Sequence, residues 1–305
     1  MRELNVGNRG TFQVHKNLQV EWPNKSKFAI CLTHDVDRIK KTYQYLTSTF
    51  KKKSLRPLID YFKDKEEPYW QFEKIMDIEK SYNVKSTFFF LNESINFRLL
   101  DRFNWPLSLG RYNIMDAKVQ KIIRTLDEGG WEIGLHGSIK SFNNIKLLSK
   151  EKKILETIIG HEISGIRQHW LNLEIPETWN IHRKLGLNYD TSFGHKYDVG
   201  FKDQQFHPFS PFGDDFLVFP LSIMDSYVFK KHTNYDEALE EVLRLIYEVK
   251  NKGGLLTILW HQRVFNENDF PNYSKLYKNI IEEGMKNEAW FATCKEVYNY
   301  LHDRG

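Results

Sequence analysis

Cysteine is almost missing from this sequence, which has only Cys31 and Cys294, far apart and each inside an apolar stretch. That scarcity excludes a disulfide framework and a paired-cysteine metal site, and it leaves two buried free thiols as the expectation. Long apolar runs are missing too: nothing approaches the roughly 20 residues that a membrane span needs. The opening residues Met1-Arg2-Glu3-Leu4-Asn5 lack the apolar core of a signal peptide, so a cytoplasmic location is expected. No basic stripe with interleaved aromatics is present, which argues against a nucleic-acid partner. Charge of one sign is scarce as well. The formal net charge is +4 over 305 residues, and cations alternate with acids, as in Lys63-Asp64-Lys65-Glu66-Glu67. Lys51-Lys52-Lys53 with Arg56 is the one compact basic run. It reads first as a helix end whose cations face the C-terminal dipole. It reads second as a peripheral contact for lipid headgroups or phosphorylated sugar carriers.

What is present points to a folded α/β chain. An apolar fraction of 41% is enough for a large core and excludes disorder. An aromatic fraction of 15% suits carbohydrate sites, but most such rings pack in cores or grooves. Residues 1–26 are polar and punctuated by Gly7, Gly10 and Pro23. They read as a leader packed on the main domain, with a strand at Phe12–Val14 or Leu18–Val20. From residue 27 to 305 short apolar runs alternate with longer amphipathic segments, the βα signature of a mainly parallel sheet, open or closed into a barrel. The runs are Phe28–Leu32, Ser86–Leu91, Trp131–Leu135, Gly165–Arg167, Leu187–Tyr189, Phe216–Leu221 and Leu255–Trp260. Helical spacing marks 68–82, 116–128 and 235–251; the second starts at an Asp116 cap and the last stops at Gly253-Gly254. Residues 44–72, aromatic and basic, read as a lid for a carrier or as packed helices.

Chemistry follows the ends of these runs. The first leads into Thr33-His34-Asp35-Val36-Asp37, the third into His136-Gly137-Ser138, the fourth into Arg167-Gln168-His169-Trp170. Asp190, Asp225 and His261-Gln262-Arg263 follow the last three. In a parallel barrel all strand C-termini open on one face, and that face carries the site. Asp35 and Asp37 alternate along an extended backbone, so both carboxylates face one place and repel unless a cation or proton intervenes. A metal, with one Asp as ligand and the other as base, is the economical arrangement; a helix cap at Arg38 is the competing one. His136, on the same rim, suits zinc or a similar divalent ion that generates a nucleophile from water. His261 suits protonation of a leaving amine. Arg167 suits the task of holding Asp35. His15, His161, His182, His232 and His302 lie in helical or loop contexts and read as surface or structural.

The ordered motifs Thr-His-Asp-Val-Asp, Ser-Thr-Phe-Phe-Phe, Glu-Ile-Gly-Leu-His-Gly-Ser, Gly-Ile-Arg-Gln-His-Trp-Leu, Tyr-Asp-Thr-Ser and Leu-Trp-His resemble the polysaccharide deacetylases of carbohydrate esterase family four. The resemblance spans about residues 27–300 and is closest to the His-Asp-Val-Asp branch. It implies a distorted seven-stranded (β/α) barrel and a divalent metal, zinc or else nickel or cobalt, held by one Asp and two His. It makes Asp35 the general base, Arg167 its positioning partner and His261 the acid. Val36 departs from the family's adjacent Asp pair, so the ligand role passes to Asp37, beside His136. Lys140 and Ser141 stand where the second His belongs. His169 is the candidate replacement, against Ser141, a water, or a role for His169 behind the site. Asp190 or Asp225 orients His261. The expected substrate is an N-acetylated sugar on a nucleotide or lipid carrier. The rivals are a metal-independent amidase on cyclic ureides or imides, and a glycan-binding pseudoenzyme.

Overall fold

In the computed structural model, which describes residues 2–5, 11–14, 16–18, 20–45, 67–101, 104–232 and 234–304, the first apolar run begins a nine-residue strand, β1 (Phe28–Val36). Both faces of β1 are buried, as a parallel strand under helices requires. Phe28, Ile30, Leu32 and Val36 join the large cluster beneath the helices, whereas Ala29 and Cys31 join a separate inner cluster with Phe89, Tyr189 and Leu255. The two-residue period therefore sends Asp35 to the inside and His34 to the helix side.

Parallel neighbours follow: β2 (Thr87–Leu91), β3 (Glu132–Gly137), β4 (Gly165–Gln168) and β5 (Tyr189–Asp190) on one side of β1. The run at 216–221 differs from expectation. It is not one strand but two, β6 (Leu217–Val218) and β7 (Leu221–Met224), interrupted at Pro220, which has no N–H to give the ladder. β6 pairs with β5, and β7 pairs with β8 (Leu255–Leu259), which returns to the other edge of β1. The Phe219 and Leu221 N–H groups donate to Asp190 O and Phe193 O, and Gly194 bridges Leu221. This broken strand curls the sheet around into a distorted β/α barrel. A short β9 (Ala289–Phe291) pairs with the lower half of β1.

Helices α1 (Phe72–Ser81), α2 (Ala117–Glu128), α3 (Ile145–Ile159), α4 (Glu177–Lys184), α5 (Asp225–Lys231), α6 (Tyr235–Lys252), α7 (Tyr273–Lys286) and α8 (Cys294–His302) complete the described elements that matter here. Asp116 caps α2 as its sequence suggests, accepting from Lys118 N. Gly253, at φ 63°, ends α6 in the left-handed region and turns the chain into β8. α1 starts at Phe72 rather than near Pro68. α8 plugs the lower end of the barrel: its Cys294 and Lys295 N–H groups donate to Thr87 Oγ1 and to buried Glu132. A carboxylate at a helix N-terminus is favourable there.

Cys31 and Cys294 are free and buried. In the leader, Arg2–Asn5 pairs with Thr11–Val14, and Lys16–Asn17 pairs with Phe209–Ser210; Leu18 and Val20 are not in a strand. His15 and residues 46–66, with the basic run and most of the proposed lid, lie outside the described residues. Among the described residues no helix is long and apolar enough to cross a membrane.

Candidate metal centre and active site

The upper ends of β1, β3, β4 and β8 bring five sequence-selected residues to one open cavity of about 520 Å³ and a sixth close behind it. Asp35, Asp37, His136, His169 and His261 line it, and Arg167 lies just behind, fully buried.

Arg167 rises from inside the barrel over the face of Phe89, 4.7 Å from its centroid. Its Nη1 donates to Asp35 Oδ1 at 2.9 Å and to Thr33 Oγ1 at 2.6 Å, and its Nε to Thr191 O at 3.2 Å. These bonds fix one carboxylate oxygen of Asp35 and leave Oδ2 toward His136, 3.6 Å away.

His136 Nδ1 lies 2.9 Å from the Arg167 carbonyl, which only accepts, so Nδ1 carries the proton and Nε2 points its lone pair into the cavity. Nε2 stands 3.2 Å from Asp37 Oδ1. The approach lacks hydrogen-bond alignment, and both atoms are buried without any hydrogen-bond partner. His169 brings Nε2 to 3.7 Å from the same oxygen. Burial lowers the His169 pKa to about 3 despite the opposing pull of Asp37, so its ring is neutral and free to ligate. At His136 burial also resists charge, but Asp35 and then Asp37 outweigh it and raise the pKa. The pocket thus attracts a positive charge. Asp37, His136 and His169 present ligand atoms all within 4.8 Å of one another. An orphaned carboxylate oxygen and an orphaned imidazole nitrogen, with a second, neutral imidazole beside them, fit a divalent cation.

Ser141, the alternative third ligand, is fully buried and donates to Ser138 O at 3.0 Å. It is no member of the converging set.

His261 begins a 3₁₀ turn after β8. Its Nδ1 meets Asp225 Oδ2 at 2.9 Å, so Nε2 faces the cavity, 3.4 Å from Asp37 Oδ2. Asp225, at the start of α5, is therefore the acid beside His261. Asp190 is engaged elsewhere: it accepts from Ser192 N at 2.8 Å and Ser192 Oγ at 2.7 Å, with His182 Nδ1 at 3.3 Å.

Arg263 carries no assigned role in the sequence reading, although it stands two residues beyond His261. The 3₁₀ turn folds it back, and Nη1 donates to Asp37 Oδ2 at 2.7 Å. Burial tends to raise the Asp37 pKa, but Arg263 first, then His261 and His136, hold it well below the usual carboxylate range. Trp170 and Leu171 sit at φ 57° and 49° beside the candidate ligand His169, strained left-handed backbone on non-glycine residues at the cavity wall.

Known structures share this architecture over nearly the whole chain. A protein named as a polysaccharide deacetylase from Mycobacterium smegmatis matches with a TM-score of 0.63 at 15% identity, covering 96% of both chains. Another so named, from Pseudomonas aeruginosa PAO1, matches at 0.61 and 14%, covering 93% of both. The fold is that of the polysaccharide deacetylases. An allantoinase matches at 0.60 and 14%, again over 93% of both chains, so the polysaccharide deacetylase fold by itself does not choose the reaction. No protein-family profile matches the sequence, and no curated protein does.

Proposed function

We propose that this protein is a metal-dependent hydrolase that removes the N-acetyl group of an amino sugar during surface-polysaccharide or glycolipid synthesis in the cytoplasm. The observation that carries the proposal is the convergence of Asp37, His136 and His169 between an Arg-held carboxylate and an Asp-held imidazole.

Asp37, His136 and His169 would hold the divalent ion, with zinc the first choice and nickel or cobalt the others. When bound, such an ion polarises an acetamide carbonyl and acidifies a water. Asp35, with Arg167 fixing its Oδ1, accepts a proton from the attacking water. The hydroxide adds to the acetamide carbon, and the backbone N–H near Trp170 supports the developing oxyanion. His261, acting as the imidazolium with its Nδ1–H on Asp225, then gives its Nε2 proton to the departing nitrogen and is left as the neutral Nδ1–H ring. The C–N bond breaks to acetate and a free amine. Arg263 keeps Asp37 ionised and aimed.

Carbohydrate suits the cavity walls. Trp170, half exposed, lines the cavity, and so do Tyr197 and Tyr227, which stand 6.0 Å apart in a T-shaped pair. Lys196 also lines the cavity, and with Arg263 it favours a substrate bearing phosphate, as nucleotide- and lipid-linked sugars do.

A second reading is a metal-independent amidase on cyclic ureides or imides, favoured by the likeness to an allantoinase. The neutral His169 beside Asp37 stands against it. Acetate release from N-acetyl sugars, measured with added zinc and with chelator, tests the choice. Release that needs the metal supports the deacetylase. Hydrolysis of a cyclic ureide that ignores the chelator supports the amidase, and binding without any turnover supports a glycan-binding pseudoenzyme.

A further inference from the structure

In the segment after β2 three polar side chains, Glu93, Asn104 and Ser108, turn inward. Asn104 is 6% exposed; it accepts the Arg98 N–H at 2.7 Å and the Ser108 hydroxyl at 2.9 Å, and donates to Asn96 O at 2.9 Å. Glu93, also buried, accepts the N–H groups of Ser94, Ile95 and Ile139. Trp105 Nε1 donates to the carbonyls of Arg98 and Leu99, and Arg111 Nη1 to that of Ile95.

Four large apolar side chains meanwhile face water. Phe97 is 47% exposed, Leu99 68% and Leu100 97%, with Trp105 beside them at 36%. Single exposed leucines are ordinary. A hydrogen-bonded frame that holds several of them outward is not, because it forgoes burial that a small rearrangement would recover.

Place and charge indicate what covers this surface. The segment stands at the C-terminal end of β2, between the strands that deliver Asp35 and His136. Ile139, bonded to Glu93, lines the cavity, and Pro106 O accepts from Arg38, next to Asp37. The exposed apolar group therefore sits beside the cavity mouth. Among the described residues of 94–115, Arg98 and Arg111 stand against Asp101 alone. Aliphatic tips, an amphipathic Trp and nearby Arg side chains are the composition that settles at the boundary of headgroups and acyl chains in an anionic bilayer.

We propose that Phe97, Leu99, Leu100 and Trp105, with Arg98 and Arg111, dock this protein on an anionic lipid surface beside the mouth of its cavity. The assignment stands independently of the reaction proposed above.

Co-sedimentation of the full chain with vesicles tests it, using phosphatidylcholine alone and phosphatidylcholine mixed with phosphatidylglycerol. The wild type should pellet with the anionic vesicles and respond to salt. The double substitution Leu99→Asp/Leu100→Asp should weaken partitioning at least about tenfold, and Arg98→Glu roughly fivefold. Both sets of side chains are in solvent, so thermal melts should match the wild type. Wild type that stays in the supernatant, or a double variant that pellets equally well, overturns the proposal. A wild-type dimer in sedimentation velocity that the double variant dissolves also overturns it, by assigning the surface to a second copy.

Discussion

Glu79, behind β1, and Asp37, in front of it, are both carboxylates removed from water, and they live under opposite conditions. Glu79 Oε1 accepts Tyr277 OH at 2.6 Å and faces His34 Nε2 at 2.9 Å; its Oε2 accepts Ser86 Oγ at 2.9 Å and Trp131 Nε1 at 2.5 Å. His34 in turn donates Nδ1 to Trp260 O at 2.6 Å, tying β1 to the end of β8. Tyr277, Ser86 and Trp131 each direct a donor at Glu79, and an imidazole closes the fourth side. Asp37 keeps Oδ1 buried and unpartnered, facing the likewise unpartnered Nε2 of His136 at 3.2 Å and the Nε2 of His169 at 3.7 Å. The first arrangement is complete without any ligand and acts as a brace. The second sets an unpartnered carboxylate oxygen against an unpartnered imidazole nitrogen, a donor set that fits a cation. Buried charge alone does not mark a site; unmet coordination does.

The comparison can be broken from either side. The largest effect belongs to the front: Asp35→Ala and His261→Ala should each lower turnover on the order of 10³-fold or more in acetate release. Their urea midpoints should stay near wild type. The brace should behave in reverse. Glu79→Ala strands four buried partners and should cost about 3 kcal/mol in urea unfolding, while metal content per folded molecule is retained. Unchanged stability in that variant would remove the distinction. Asp225→Asn should act between the two, lowering kcat on the order of 10²-fold by upsetting the His261 tautomer, with binding of the sugar little changed.

The smallest effect concerns Glu151, which accepts both the Ser138 N–H and hydroxyl beneath the site. Burial raises its pKa from 4.5 to about 7, against the lowering effect of the Ser138 bonds. A raised folded pKa stabilises the native state below 4.5, and that contribution is lost as pH climbs through 7. Wild type should therefore lose stability over this window, and Glu151→Gln should flatten the loss by on the order of 1 kcal/mol. Melts taken from pH 5 to pH 8 measure it. A wild-type profile as flat as that of Glu151→Gln would refute the assignment.

The strand ends were the readable part of the molecule, because a strand's period and its C-terminal residues are local facts. Asp35, Asp37, His136, His169 and His261 all reach one cavity for that reason, with Arg167 behind Asp35. The split at Pro220 was also visible in principle, since proline cannot serve a ladder from within. Other features depend on chain segments far apart. Nothing local distinguishes Asp225 from Asp190; the choice comes from which strand neighbours β8, and that is β7, whose end carries Asp225. Arg263 needed the 3₁₀ turn that folds its side chain back over Asp37. The Glu79 brace draws on α1, β1, β3 and α7, so its members scatter over 243 positions from His34 to Tyr277. In the sequence Glu79 is merely an acid on an apolar helix face.

Metal content measures the central claim most directly. Purified wild type, Asp37→Ala, His136→Ala, His169→Ala and Glu79→Gln would be loaded with zinc, dialysed and analysed for bound metal. About one equivalent in wild type and in Glu79→Gln, lost from the three front variants, is the predicted result. Wild type that retains no metal, or front variants that bind it as well as wild type, would contradict the account.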